Sequence, residues 1–201
     1  MIRVKICGIT RVEDGLSAAR AGADAIGLVF VAKSARCVSV EQAVAICRAL
    51  PPLISRVGLF MNCDTALVEE ILNQVPLNWL QFHGNESPAF CQQFQRPWIK
   101  ALAMRAEQPP DMQPFDQADA LLLDAHAGSD LGGSGEVFDW SQIPSMPRPW
   151  VLAGGLRPDN VAAACRQARP DAVDVSSGVE TLPGIKDDNL VNQFIKAVKH
   201  G

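Results

Sequence analysis

Ala23-Asp24-Ala25-Ile26 ends one amphipathic segment and opens an apolar run, and this pattern returns at Ala118-Asp119-Ala120-Leu121 and Pro170-Asp171-Ala172-Val173. Aspartate suits a turn, and the apolar run that follows suits a strand buried in a parallel sheet. A junction of helix and strand that recurs along a chain is typical of right-handed βαβ units. The repeat therefore predicts a parallel sheet whose strands alternate with helices.

The rest of the chain extends this alternation. Eight apolar runs are candidate strands: Ile2–Ile6, Ala25–Phe30, Arg56–Phe60, Trp79–Phe82, Trp98–Leu102, Ala120–Leu123, Trp150–Ala153 and Ala172–Val175. Six segments with helical periodicity are candidate helices: Val12–Ala21, Val40–Leu50, Thr65–Val75, Ser87–Gln95, Asp159–Ala168 and Asp188–Lys199. Two connections, Arg105–Ala118 and Ala125–Pro149, are rich in Pro or in Gly, Ser and Pro and predict no good helix.

Eight strand–helix units in 201 residues favour an α/β fold of one closed (β/α)₈ barrel, a TIM barrel of parallel strands forming a single domain over residues 1–201. A doubly wound open sheet is the competing architecture, although it would usually have fewer strands or longer helical units. Alternation within the strands agrees with a barrel. In the first strand Val4 and Ile6 share one face, while Lys5 and Cys7 share the other, which would point to the barrel axis.

Composition excludes several classes of protein. The formal charge is −4, with 18 Lys+Arg against 22 Asp+Glu, so no basic surface for nucleic acid is expected. No apolar run approaches the roughly 20 residues that span a bilayer, and the alternating N-terminus predicts a strand rather than a signal peptide. Six cysteines without a Cys-x-x-Cys pair predict neither a zinc site nor a disulfide framework. We expect a cytoplasmic protein without a metal, and a monomer because no exposed apolar stripe is evident.

Active sites of such barrels lie at the carboxyl ends of the strands. The glycine-containing segments after the last two strands, with Gly154, Gly155, Ser176 and Gly178, predict a phosphate site, because glycine lets backbone N–H groups approach an anion. Pro158 suits the first turn of a helix starting near Asp159, whose N-terminus would add positive charge. Gly154-Gly155 as a plain tight turn is the alternative.

Two residues at strand ends are candidates for acid–base chemistry. Cys7 ends the first strand before Thr10-Arg11-Val12-Glu13, which has the spacing of a capping box. A thiol near a helix N-terminus can have a lowered pKa and act as a base, although a cysteine buried for packing is the alternative. Asp124 follows an apolar strand, which favours the neutral, proton-donating form; a carboxylate that caps the next turn is its alternative.

Three further features border the same strand ends. His83 could bind substrate or shuttle a proton, although a hydrogen-bonded structural histidine is equally consistent with the sequence. Arg36, in the loop after the second strand, could bind a substrate carboxylate with its guanidinium fork, although a solvated loop arginine is the alternative. Gly132-Gly133-Ser134-Gly135 lacks the Lys-Ser/Thr ending of a nucleotide P-loop, so we interpret it as a flexible active-site loop or a plain linker.

Taken in order, these motifs resemble the phosphoribosylanthranilate isomerase family of tryptophan biosynthesis. The resemblance rests on Lys5-Ile6-Cys7-Gly8-Ile9-Thr10, Gln81-Phe82-His83-Gly84, Gly132-Gly133-Ser134-Gly135 with Phe138-Asp139-Trp140, Leu152-Ala153-Gly154-Gly155-Leu156 and Asp174-Val175-Ser176-Ser177-Gly178-Val179-Glu180. It continues to Pro183-Gly184-Ile185-Lys186-Asp187 and covers essentially the whole chain.

The resemblance implies a barrel that performs an Amadori rearrangement of N-(5′-phosphoribosyl)anthranilate without a cofactor. By position it implies that Cys7 is the general base, that Asp124 is the general acid and that Arg36 holds the anthranilate carboxylate. It implies substrate contacts, chiefly to the phosphate, from the segments that contain Gly154, Gly155, Asp174, Ser176 and Gly178, and a position near the substrate for His83. Ala35 departs from the family, which usually has Pro there, so the loop presenting Arg36 is expected to be looser.

Two other functions remain open on the sequence. Another phosphosugar-handling barrel, such as an epimerase or a synthase, would share the phosphate loops but not the set of Cys7, Asp124 and Arg36. A catalytically silent barrel that senses a phosphorylated metabolite would bind ligand without turnover.

Overall fold

The computed structural model describes residues 1–104, 110–125 and 139–201. Its barrel strands are β1 (Arg3–Ile6), β2 (Ala25–Val29), β3 (Ser55–Phe60), β4 (Trp79–Phe82), β5 (Trp98–Ala103), β6 (Ala120–Asp124), β7 (Trp150–Leu152) and β8 (Ala172–Val175). Each strand pairs in parallel with its neighbours in chain order, and β1 closes the ring by pairing with β8. The predicted closed barrel is confirmed, and every strand bound lies within one residue of its prediction.

The helices pack around the barrel. They are α1 (Val12–Ala21), α2 (Val40–Ala49), α3 (Thr65–Gln74), α4 (Pro88–Gln92), α5 (Val161–Ala168) and α6 (Asp188–His200). Two of them differ from the prediction by more than one residue. α4 ends at Gln92 rather than Gln95, whose φ of 50° is left-handed and incompatible with a continuing helix. α5 begins at Val161 rather than Asp159, because the Asn160 side chain accepts the Arg157 N–H and closes a turn before the helix.

The two connections that predicted no good helix contain short 3₁₀ turns in their described parts, Gln113–Phe115 and Trp140–Gln142. The glycine-rich segment Gly132-Gly133-Ser134-Gly135 and Phe138 lie outside the described residues. A hairpin that the sequence did not predict follows the barrel: β9 (Glu180–Leu182) pairs antiparallel with β10 (Ile185–Lys186). This hairpin carries two charged residues of the candidate site.

The aspartate of the repeated junction has a structural role. The Asp24 carboxylate, just before β2, accepts the Val4 N–H of β1 at 2.9 Å. Asp119 does the same for the Trp98 N–H, and Asp171 for the Trp150 N–H. A fourth instance, in which the Asn78 side chain accepts the Arg56 N–H, uses an amide oxygen in place of a carboxylate. Thus the side chain just before each even-numbered strand accepts a backbone N–H from the preceding odd-numbered strand.

Side-chain alternation along the strands divides the interior into two regions. One face of each strand, as with Val4 and Ile6, packs under the helices in the main core. The other face fills the barrel axis with a smaller apolar cluster: Ile99, Ala101, Ala120, Leu122, Val151 and Ala153. The inward faces of β1, β4 and β8 are polar instead, and they lead to the candidate site at the carboxyl ends.

No helix in the described ranges has the length and apolar character needed to cross a bilayer.

Candidate active site

The mouth of the barrel, defined here as the carboxyl ends of the eight strands, collects most of the predicted site residues. Cys7 follows β1, His83 follows β4, Asp124 ends β6, and Ser176 follows β8. Because every strand runs in the same direction, these residues share one end of the barrel. The geometry there has four parts, which are the surroundings of Cys7, of Asp124 and of Arg36 and the cradle formed by the loops after β7 and β8.

Cys7 is 5% exposed, and its N–H donates to the Val175 carbonyl at 2.8 Å, which extends the pairing of β1 with β8. Its Sγ lies against the backbone of Gly27: a Cβ at that glycine would approach the Cys7 Sγ to 2.6 Å and Lys5 Cε to 3.2 Å. The absent side chain at Gly27 therefore makes room for the thiol and the lysine to stand side by side.

A buried ion pair lies one layer deeper. Lys5 Nζ is 2.9 Å from Asp174 Oδ2, with both side chains less than a tenth exposed. Burial raises the pKa of the Cys7 thiol, and the neighbouring Lys5 ammonium opposes that rise. Burial would lower the pKa of Lys5, but Asp174 and Cys7 raise it above its ordinary value. Lys5 is therefore a fixed positive charge beside the thiol.

The expectation of a helix N-terminus that lowers the pKa of Cys7 is wrong. The first turn of α1 begins at Val12, and its N-cap is Arg11, which makes no side-chain capping bond. Thr10, the predicted cap, instead donates its hydroxyl to the Gly184 carbonyl in the β9–β10 hairpin. The charges that favour the thiolate are those of Lys5 and, to a lesser extent, Lys186, and not a capping box.

Asp124 lies beside His83, with 3.6 Å between Asp124 Oδ2 and His83 Nε2. The other ring nitrogen, Nδ1, is 3.1 Å from the Gln81 side-chain nitrogen. Burial lowers the pKa of His83, while the Asp124 carboxylate opposes that shift, so the ring is neutral near pH 7. With the Gln81 amide as the donor to Nδ1, the neutral ring carries its proton on Nε2, facing Asp124.

The loops after β7 and β8 form a cradle with an unused donor. Gly154 and Gly155 have φ values of 85° and 63°, a pair of left-handed conformations that glycine adopts without strain. A Cβ at Gly178 would overlap the Leu156 carbonyl oxygen, so the two loops touch through backbone. The Ser176 hydroxyl is buried and has no hydrogen-bond partner among the described residues. A group able to accept its proton, such as a phosphate oxygen, would satisfy it.

The absence of a side chain at Gly154 also leaves room for the Asp124 carboxyl group. A Cβ at this residue would approach Asp124 Oδ1 to 3.1 Å and the Ala125 nitrogen to 2.6 Å. The helix that follows these loops begins two residues later than predicted. Because α5 begins at Val161, Pro158 lies in the preceding turn and not in the first helical turn.

Arg36 is not a solvated loop residue. Its Nε and Nη2 donate to the two oxygens of Glu180 at 2.9 and 2.7 Å, and its side chain is 13% exposed. Lys186 Nζ donates to the same carboxylate at 2.7 Å. Gly8 stands against this group, since a Cβ there would approach Arg36 Cδ to 2.5 Å and Ser176 Oγ to 3.0 Å. The arginine and the phosphate cradle are thus neighbours across Gly8.

Sequence reasoning did not assign Lys5, Gln81, Glu180 or Lys186 to the site. Strand parity already directed Lys5 and Gln81 to the barrel axis, and that signal could have found them. Glu180 and Lys186 lie on a hairpin that meets Arg36, and Glu180 is 144 positions from that arginine, so no local pattern shows the pairing. Within the described ranges, no cluster of three His, Cys, Asp or Glu side chains is arranged to hold a metal ion.

Known proteins are similar to this chain along nearly its whole length. A family profile described as N-(5'phosphoribosyl)anthranilate (PRA) isomerase matches residues 4–197. The N-(5'-phosphoribosyl)anthranilate isomerase of Pseudomonas fluorescens is 53% identical over 201 residues, covering 98% of this chain and 96% of its own. The solved phosphoribosyl anthranilate isomerase of Thermotoga maritima is 42% identical, with a TM-score of 0.89 and 99% of each chain covered.

A second solved phosphoribosyl anthranilate isomerase is a complex with reduced 1-(o-carboxyphenylamino)-1-deoxyribulose 5-phosphate. It is 41% identical to this chain, with a TM-score of 0.86 and 99% of each chain covered.

Proposed function

Since this chain belongs to the N-(5′-phosphoribosyl)anthranilate isomerase family, we propose that Cys7 and Asp124 carry out the family's reaction as a base and an acid. The reaction is the Amadori rearrangement of N-(5′-phosphoribosyl)anthranilate to 1-(2-carboxyphenylamino)-1-deoxyribulose 5-phosphate, an aldose–ketose isomerisation in tryptophan biosynthesis. The observation that carries the assignment is the arrangement of the mouth, where the thiol stands beside Lys5 and the carboxyl group beside His83.

The chemistry requires one proton donor and one proton acceptor. Protonated Asp124 gives its proton to the ribose ring oxygen, and the ring opens to a Schiff base between C1 and the anthranilate nitrogen. The C2 hydrogen of that intermediate is acidic, and the Cys7 thiolate removes it. The resulting enol tautomerises to the ketone, so one proton leaves Asp124 and one arrives at Cys7. An acid and a base of this kind each contribute about 10² to 10⁴ in rate.

The surrounding residues orient the substrate between these two groups. The backbone at Gly154, Gly155 and Gly178 and the unpartnered Ser176 hydroxyl suit the 5′-phosphate. Arg36, at the other side of Gly8, suits the anthranilate carboxylate.

His83 and Asp174 suit the ribose between these two ends. The neutral His83 ring faces Asp124, and its Nε2–H can donate either to that carboxyl group or to a sugar oxygen. Asp174 has one oxygen, Oδ1, that is buried without a partner among the described residues. Fixing both substrate ends removes the entropic cost of alignment in the reacting state.

Direct turnover tests the assignment. Phosphoribosylanthranilate is generated in place from anthranilate, the loss of its fluorescence is followed, and the product is identified by mass spectrometry. We expect enzyme-dependent conversion to the deoxyribulose phosphate. A folded protein that binds the reduced product but converts nothing would instead be a sensor of a phosphorylated metabolite.

The assembly state and the compartment are further proposals. We propose a monomer, because the large apolar side chains exposed among the described residues are scattered, at Met1, Leu53, Leu67 and Leu182. Light scattering coupled to size exclusion should return the mass of one chain, and twice that mass would refute the monomer. We propose the cytoplasm because all six cysteines are free thiols, as suits a reducing compartment. Cell fractionation tests the compartment.

A further inference from the structure

Glu180, at the start of the β9–β10 hairpin, fixes the orientation of the Arg36 guanidinium. It accepts two parallel bonds, from Nε at 2.9 Å and from Nη2 at 2.7 Å, and its own side chain is 5% exposed. A planar fork held by two bonds cannot rotate about its axis. One edge of the guanidinium is therefore occupied by Glu180, while the Nη1 group and the outer hydrogen of Nη2 lie on its other edge.

Lys186 balances the charge of this carboxylate. Its ammonium is fully buried, 2.7 Å from Glu180 Oε1, and it also donates to the Ser176 carbonyl at 3.2 Å. The Gly184 N–H makes a fourth hydrogen bond to the Glu180 carboxylate at 3.2 Å. Two positive side chains thus share one negative one, which leaves a net charge of +1 on the group formed by Arg36, Glu180 and Lys186, here called the arginine clamp.

Burial would raise the pKa of the Glu180 carboxyl, but Arg36 and Lys186 together lower it below its ordinary value. Glu180 therefore stays ionised at neutral pH. Burial lowers the pKa of Lys186, and the Glu180 carboxylate opposes that shift.

The hairpin that carries Glu180 and Lys186 is attached to the barrel. The Lys186 N–H donates to Asp14 Oδ2 in α1 at 3.1 Å, and the Thr10 hydroxyl donates to the Gly184 carbonyl. Gly184 has a φ of 83°, and a Cβ there would stand 3.2 Å from the Thr10 methyl and 3.4 Å from the Ala35 carbonyl. The hairpin therefore packs on the loop that presents Arg36 and couples it to the β1–α1 loop.

We propose that Glu180 and Lys186 are positioning residues that set the specificity of this site for a substrate with a carboxylate on its aromatic ring. They do so by holding Arg36 with one edge engaged and the other edge ready to receive a second carboxylate. The proposal rests on the proposed function, in which Arg36 binds the anthranilate carboxylate. In this arrangement the clamp, and not a restrained φ at residue 35, fixes the guanidinium.

Binding of two ligands that differ only in the carboxylate separates a loss of Arg36 orientation from general damage to the site. One is reduced 1-(o-carboxyphenylamino)-1-deoxyribulose 5-phosphate, and the other is the same compound without the carboxyl group. We expect Glu180→Gln to weaken binding of the first by about 10- to 100-fold, the loss expected when a charge-assisted bidentate pair no longer orients the arginine. Binding of the second should change by less than about threefold, because the phosphate cradle does not involve Glu180.

Further variants test the parts of the clamp. Lys186→Met removes the net positive charge and should also lower the preference for the carboxylated ligand. Glu180→Asp keeps the charge with a shorter reach and should give an intermediate preference, which also serves if Glu180→Gln does not fold. Ala35→Pro should change little alone but should recover part of the preference when combined with Glu180→Gln.

The same titrations distinguish a failure of the role proposed for Arg36 from a failure of the role proposed for the clamp. If Arg36→Met keeps the wild-type preference for the carboxylated ligand, the assignment of Arg36 in the proposed function fails. If Arg36→Met loses the preference while Glu180→Gln, Glu180→Asp and Lys186→Met all retain it, the role of the clamp is overturned. Calorimetry or fluorescence titration of the folded variants provides the measurement.

Discussion

Lys5 and Asp174 are cross-strand neighbours inside the barrel, and their side chains form a buried ion pair of 2.9 Å. The pair lies on the inward face of β1 and β8, one layer below Cys7. The thiol therefore has a positive and a negative charge near it, and Lys5 has the larger effect. The ionisation of Cys7 is the balance between burial, which opposes the thiolate, this asymmetric pair and a smaller favourable contribution from Lys186.

The pH dependence of Cys7 follows from this balance. Because its pKa is raised, the thiolate forms at a higher pH than in a free cysteine, above about 8.5. We predict that the difference in ultraviolet thiolate absorbance between wild type and Cys7→Ala titrates above that pH. The limb of the kcat/KM profile that belongs to the base should follow it.

Substitutions at the ion pair should move this titration in opposite directions. Asp174→Asn removes the negative charge and should lower the midpoint, whereas Lys5→Met removes the positive charge and should raise it. Lys33→Met, at an exposed lysine, is the control and should leave the midpoint where it is. Shifts of the same sign in both pair variants would show that the ion pair acts by packing and not by charge.

Gly178→Ala tests the contact between the two phosphate loops. The new Cβ would overlap the Leu156 carbonyl oxygen and stand 3.1 Å from Arg157 Cγ, so backbone must move. We expect KM to rise at least about tenfold, and the free energy of unfolding to fall by about 1–3 kcal/mol, as for overpacked sites.

Gly15→Ala is the matched control for that change. Its Cβ would meet a methyl group of Ile46, on the neighbouring α2, at an ordinary 3.4 Å. This variant should keep KM and gain up to about 1 kcal/mol of stability from helix propensity. An unchanged KM in Gly178→Ala would refute the phosphate role of these loops.

Asp119→Ala tests the junction repeat at the opposite end of the barrel. It leaves the buried Trp98 N–H without its side-chain acceptor, which costs about 1–3 kcal/mol. Asp119→Asn should lose much less, because Asn78 performs the same task with an amide oxygen. Urea unfolding measures both, and turnover should stay near wild type because the junction is remote from the mouth. Equal losses in the two variants would contradict the capping role.

The sequence was sufficient for the barrel because its signals are local. Alternation of Val4 and Ile6 with Lys5 and Cys7 specifies which face of β1 is inward. The aspartates at 24 and 119 mark strand starts because they cap the preceding strand's N–H groups. The fourth junction, at Asn78, does not match the repeat because an asparagine supplies the acceptor in place of an aspartate.

Other features depend on contacts between distant residues and could not be predicted. The Thr10 hydroxyl has the spacing of a helix cap, but the carbonyl of Gly184, 174 positions away, takes its proton. The local sequence around Arg36 does not reveal its partner, because Glu180 reaches it only through a hairpin whose strands are three and two residues long. The pKa of Cys7 depends on burial, which the sequence pattern around it does not give.

The rate at which the substrate loses its C2 hydrogen tests most directly the claim that Cys7 is the base and Asp124 the acid. Substrate deuterated at C2 is converted by wild type, Cys7→Ala, Asp124→Asn and the control Cys165→Ala, and the release of deuterium to solvent is timed for folded protein with bound substrate. We predict that Cys7→Ala and Asp124→Asn slow the release by about 10²- to 10⁴-fold, while Cys165→Ala, a buried cysteine on α5, matches wild type. Release within a few-fold of wild type in Cys7→Ala would contradict its role as the base.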